Sequence, residues 1–227
     1  MAMVWLEPGS FMMGSPKEEN GHFSDETLHK VTLTNGFWMG QTGVSWRQWL
    51  EVMGSQENVP TNVDLPVTHV SWNDAQIFLQ KLNENSKGIL FHLPTEAEWE
   101  YACRAGSTDA FSFGNDITLA QVNYSGRYFN IDQRRSSVPV GSLPANEWGL
   151  HEMHGNVWEW CSDWYGSYAG GELENPVGLP EGGRRVIRGG GWRDGAQVCR
   201  AAYRYQVQPG GRSSILGFRV VAVQDHR

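Results

Sequence analysis

The sequence predicts an α+β domain with a large irregular fraction, and three observations carry that prediction. Three segments combine an N-terminal capping residue with helical spacing of apolar residues. Between them lie short β-prone runs bounded by turns. The 227 residues include 27 Gly and 11 Trp, a composition in which turns abound and large indoles fill a loop-rich core, provided each indole N–H finds a partner.

The first helix is capped by Ser45. Trp46, Trp49, Leu50 and Met53 fall at i, i+3, i+4 and i+7, and Gly54 ends it. The second opens at Ser71 with Asp74 at the capping-box position, buries Ala75, Phe78, Leu79 and Leu82, and is followed by Gly88. The third starts at Thr95 with Glu98 at the box position, runs through Trp99 and Tyr101 and stops at Gly106. Strands are expected over Lys30–Leu33, Phe37–Met39, Arg185–Arg188 and Phe218–Val223. From Gly106 to Leu150 neither period is visible, so those loops need another source of order, such as bound ions or a function of their own. No repeat and no Pro/Ser-rich linker divides the chain, so one domain over residues 1–227 is expected.

The formal net charge of −7 argues against a nucleic-acid surface, and Arg134-Arg135 and Arg184-Arg185 read as isolated surface charge on loops. No apolar run reaches the ~20 residues of a membrane span, and Met1-Ala2-Met3-Val4-Trp5 lack the basic start and apolar stretch of an export signal. A cytoplasmic setting is therefore expected unless the chain is a domain excised from an exported protein. Cys103, Cys161 and Cys199 are far apart, odd in number and outside any CxxC pair. They read as reduced, buried thiols of a cytosolic chain, with one disulfide plus a free thiol as the alternative. His151, Glu152 and His154 lie close in sequence but have no third histidine in register, which favours a structural role over a metal site.

Several strings share one order along the chain. Gly9-Ser10-Phe11-Met12-Met13-Gly14 comes first, and Pro66-Val67-Thr68-His69-Val70-Ser71-Trp72 leads into the second helix. Leu93-Pro94-Thr95-Glu96-Ala97-Glu98-Trp99-Glu100-Tyr101-Ala102 follows, then Trp148-Gly149-Leu150 and Gly155-Asn156-Val157-Trp158-Glu159-Trp160. Arg188-Gly189-Gly190-Gly191-Trp192 and Gly217-Phe218-Arg219-Val220 close the series. Over nearly its whole length the chain resembles the formylglycine-generating enzyme (sulfatase-modifying factor) family. The resemblance implies a C-type-lectin-like fold: small twisted sheets, about three helices, and many ordered loops held by calcium.

The resemblance also implies ligands for that calcium. In the first region Asn123 and Asp132 supply side chains and Tyr124 and Arg134 carbonyls. In the second, Asn156 and Glu159 supply side chains, with carbonyls near Gly155 and Val157. Such an all-oxygen set suits a hard cation. A turn role for Asn156 is the competing reading. Formylglycine-generating enzymes further hold copper between two cysteine thiolates, which suit a soft ion. Here Asp194 stands at the first cysteine position, and Cys199 lies about three residues beyond the second, in a shortened segment. Copper and the oxidase chemistry are therefore not expected, and Cys199 is the sole remaining catalytic candidate.

Residues 192–216 mix large aromatics, arginines and short polar side chains, a composition typical of binding loops. The candidate ligand-binding residues are Trp192, Arg193, Asp194, Gln197, Tyr205, Gln206, Gln208, Arg212, Ser213 and Ser214. The same segment resembles the variable region of lectin-fold proteins diversified by retroelements, a non-catalytic branch of the family. Two functions follow: a module binding a protein or small-molecule ligand, and a divergent metal-dependent oxidoreductase. Arg188, Arg204 and Arg219 read as buried ion-pair or carbonyl-capping residues rather than ligand contacts.

Overall fold

A computed structural model describes residues 1–125 and 136–224. The three expected helices are present, each with a complete capping box. Helix α1 (Trp46–Met53) follows Ser45, α2 (Trp72–Glu84) follows Ser71 and α3 (Glu96–Arg104) follows Thr95. In each box the cap side chain accepts from the third backbone N–H, and the third side chain accepts from the cap's own N–H. Helix α3 ends at Arg104, two residues before Gly106, with its cap Ala105 in the left-handed region at φ 48°.

The strands form three small sheets. The first joins β1 (Met3–Leu6), β4 (Phe37–Gly40), β11 (Val221–Gln224) and β5 (Ile89–His92), in that order. The second runs β10 (Leu216–Phe218), β6 (Trp158–Trp164), β8 (Arg185–Arg188) and β9 (Tyr205–Val207). The third is β2 (Gly9–Met13), β3 (His29–Leu33) and β7 (Glu172–Glu174). Among the described residues no helix is long and apolar enough to cross a membrane.

The single strand expected over Phe218–Val223 is two strands in different sheets. Strand β10 pairs with β6, whereas β11 pairs with β4 and β5. The switch falls at Arg219-Val220. Buried Arg219 leaves the strand path to reach Glu159, and the Val220 carbonyl accepts from Gly40 N at 2.8 Å. Gly217 permits the close approach, since a Cβ there would lie 2.4 Å from the Val67 carbonyl oxygen.

Between Arg104 and Trp158 the described residues contain no helix or regular strand, in keeping with their lack of periodicity. One apolar cluster packs Trp99, Ala102 and Cys103 of α3 against Val31, Met39 and Val221. A second packs α1 and α2 on the β10–β6 sheet, with Trp49 stacked on Phe78 at 5.5 Å. Buried indoles are satisfied: Trp99 Nε1 donates to Glu159 at 2.7 Å and Trp160 Nε1 to the Val70 carbonyl at 3.0 Å.

The arginines read as structural are buried and paired. Arg188 bridges Glu96 and Glu100, Arg204 holds Glu96 through two nitrogens at 2.6 and 2.7 Å, and Arg219 holds Glu159. Burial of the Glu96 carboxyl works against ionisation. The two guanidiniums overcome it and hold the group below the usual carboxylate range.

Candidate ligand-binding cleft

The β6–β8–β9 sheet and the chain from Gly191 to Leu216 enclose a cleft of about 400 Å³. Trp158 of β6 forms one wall. Its ring lies 6.0 Å from Tyr203 and 5.8 Å from Tyr205 of β9. Ile187, Val207 and Ile215 line the apolar floor, and Arg193, Arg212 and Ser213 bring polar groups. Tyr205 is 50% exposed and offers an aromatic surface to a partner.

Asp194 fixes this geometry. Its carboxylate accepts from Trp158 Nε1 at 2.7 Å and from Gly191 N at 3.0 Å, while Asp194 N donates to the Gly191 carbonyl at 2.9 Å. A side chain that closes its own turn and anchors an indole is a structural acceptor as well as a cleft residue. Behind it lies Cys199. Gly190 sits at φ +74°, and a Cβ there would meet the Cys199 sulfur at 2.6 Å. Cys199 is fully buried, and burial, aided by Asp194, pushes its thiol far above the ordinary range. A buried thiol held in its protonated form is a poor nucleophile.

Arg193, Asp194, Tyr205, Arg212 and Ser213 therefore come together around one cleft. Arg212 is already engaged, with a two-nitrogen hydrogen bond to Asp74 at 2.9 Å for each contact. The other candidates are placed elsewhere. Trp192 is half-buried against the second apolar cluster. Gln197 stands beside Gly21. Gln206 alternates with Tyr205 along β9 and so takes the opposite face of the sheet. Gln208 is exposed and Ser214 half-buried, and neither lines the cleft. Tyr203, within the 192–216 segment, also lines the cleft, and so does Trp158, which the sequence reading did not place there. Trp158 lay inside a recognised string, and its place on a strand was hidden because β6 is buried on both faces and does not alternate.

Two loop regions were assigned to calcium. In the first, Asn123 is fully buried and its Oδ1 has no partner, an oxygen that fits a hard cation. Tyr124 is its neighbour, and Asp132 and Arg134 lie outside the described residues. In the second, Asn156 Oδ1 accepts from Asn123 Nδ2 at 3.1 Å and from Val138 N at 2.9 Å, and Asn156 sits at φ 61°. Val157 is buried next to it. The Glu159 carboxylate is committed to Arg219 and to Trp99 Nε1, so a cation there would compete with a guanidinium. Asn123 thus offers a free oxygen, whereas the Glu159 oxygens already have protein partners.

His151 and His154 do not converge. His151 Nδ1 donates to the Leu143 carbonyl at 2.7 Å. His154 is buried, with Nδ1 donating to the Cys199 carbonyl at 2.8 Å and Nε2 accepting from Ser112 N at 3.0 Å. Burial lowers its pKa to about 4, so the ring is neutral and belongs to the core. Among the described residues no cluster of three or more His, Cys, Asp or Glu side chains is placed to hold a metal.

The small sheets, capped helices and long ordered loops define a C-type-lectin-like domain. The chain belongs to the family described as the sulfatase-modifying factor enzyme 1-like domain, whose pattern matches residues 1–224. It is 36% identical over 212 residues to the formylglycine-generating enzyme of Bos taurus, an alignment covering 88% of this chain and 54% of that protein. The chain therefore spans about half the length of that relative. Among solved structures it is similar to PvdO from Pseudomonas aeruginosa, with a TM-score of 0.86, 28% identity and coverage of 97% and 93% of the two chains. It is also similar to Treponema denticola variable protein 1, with a TM-score of 0.81, 26% identity and coverage of 96% and 94%.

Proposed function

We propose that this chain is a lectin-like binding module that holds a protein or small-molecule ligand in the Trp158–Tyr203–Tyr205 cleft and has no formylglycine-generating oxidase activity. One observation carries the reading. Asp194, at the position of the family's first copper-binding thiolate, is spent on Trp158 and Gly191, while Cys199 behind it is fully buried. The likeness to a variable protein supports use of this face for recognition. Aromatic walls beside Arg193 match the residue types that dominate binding interfaces.

Calcium is proposed as the ion ordering the loop around Asn123, supported by the unpartnered buried Oδ1 there. The three unpaired buried cysteines favour a reducing, cytoplasmic setting. The alternative, a divergent oxidoreductase, draws on the identity to the bovine enzyme. Pull-down with the wild-type chain and with Trp158→Ala and Tyr205→Ala tests the binding reading. A partner captured by the wild type and lost from folded Tyr205→Ala supports it. Capture unaffected by either change overturns it.

A further inference from the structure

A second cavity, sharing no lining residue with the cleft, lies between β3, the end of β6 and the chain from Gly166 to Leu179. Its volume of about 250 Å³ is below the ~300–1,000 Å³ of drug-sized sites, which limits any occupant to a small molecule. Met13, Leu173, Val177 and Leu179 give it apolar walls; Glu96, Tyr168 and Arg204 also line it but bond one another, and two further polar side chains stand among them.

The first is His29, at the start of β3 and 4% exposed. Its Nδ1 lies 2.8 Å from the Thr27 carbonyl, which can only accept, so Nδ1 carries the proton. In the neutral ring Nε2 is then the lone-pair acceptor, and it is buried without a partner. An unmatched acceptor at this depth carries a desolvation cost that a donor from a ligand would remove.

The second is Asp163, also 4% exposed. Its hydrogen bonds from Glu96 N and Ser162 Oγ, at 2.9 and 3.0 Å, both fall on Oδ2. Oδ1 faces Gly178, where a Cβ would sit 2.9 Å away, so the glycine keeps that oxygen accessible. Among the described residues Asp163 forms no ion pair: Arg185, whose charge it feels, stacks on Trp72 and Trp164 and donates to the Ser162 carbonyl, and Arg188 and Arg204 are matched by Glu96 and Glu100. Burial, and then the negative charge of Glu96, push its carboxyl up to about 7, which is the behaviour of an acid lacking a cation.

We propose that this cavity binds a small organic ammonium with an apolar body, its N–H groups donating to His29 Nε2 and Asp163 Oδ1. A carboxylate or phosphate would meet a lone pair and a carboxyl group, since Arg204 is already held by Glu96. An alcohol brings one donor for two acceptors, and an ammonium brings three.

The test is a titration of the full chain with benzylamine, followed by the imidazole nitrogen resonances of His29. Benzyl alcohol and benzoate serve as matched controls. Saturable benzylamine binding should shift His29 Nε2, benzoate should leave it in place, and folded Asp163→Asn should bind at least about tenfold more weakly. Three results would overturn the proposal: a His29 signal unmoved by benzylamine in the wild type, a stronger response to benzoate, or equal benzylamine affinity in folded Asp163→Asn. The wild-type titrations decide the matter even if that variant does not fold.

Discussion

Trp158 and Asp194, 36 residues apart in sequence, are joined by a 2.7 Å hydrogen bond from the indole Nε1 to the carboxylate, which also caps Gly191 N. Asp194→Ala removes both bonds and leaves a mostly buried indole N–H without an acceptor. We expect a loss of ~1–3 kcal/mol in denaturant unfolding, and a smaller loss for Asp194→Asn, which retains one acceptor oxygen.

Tyr205, by contrast, is half exposed on an edge strand. Tyr205→Ala and Arg193→Ala should each change stability by less than ~0.5 kcal/mol while weakening ligand capture. Thermal melts and pull-downs on the same preparations separate the two effects.

Calcium at Asn123 predicts that a chelator lowers the melting temperature. At 100 times its dissociation constant an ion contributes ~2.7 kcal/mol. Asn123→Ala should abolish the chelator-dependent difference. Glu159→Ala should not, since its carboxylate serves Arg219, although it should destabilise the fold by exposing that buried guanidinium to an unpaired state. Melts that do not change with chelator contradict the site.

Two buried groups give opposing pH dependences. Asp163 has a folded pKa raised to about 7 from 3.8, so the native state holds the extra proton, and its contribution to stability is lost as pH rises from about 4 to 7. His154 has a folded pKa lowered to about 4 from 6.5, so its contribution is lost as pH falls through that interval. The parent protein should therefore show a shallow profile. Asp163→Asn should become progressively more stable relative to the parent from pH 4 to 7, as read by urea midpoints at each pH.

The helices were legible because capping boxes are local: Ser45, Ser71 and Thr95 each announce a start within four residues. Strand β6 was not, because residues buried on both faces lose the alternation that marks a strand. The switch at Arg219 was hidden for another reason, since the pull on that side chain comes from Glu159, 60 residues away. The same limit applies to the cleft. Its aromatic and arginine composition was visible in residues 192–216, but the wall formed by Trp158 and the diversion of Gln206 to the opposite face depend on sheet pairing. The cavity at His29 and Asp163 carried no local signal, because its two polar groups come from strands 134 residues apart.

The proposed function holds that this member of the family recognises a ligand without oxidising a cysteine, since Asp194 stands where the family has a thiolate and Cys199 is fully buried. The most direct measurement is to supply Cu(I) and oxygen with a cysteine-containing sulfatase peptide and to read the peptide by mass spectrometry. The account predicts an unmodified cysteine and no stoichiometric copper on the protein. Appearance of the aldehyde, and its loss on Cys199→Ser in a folded protein, would contradict it.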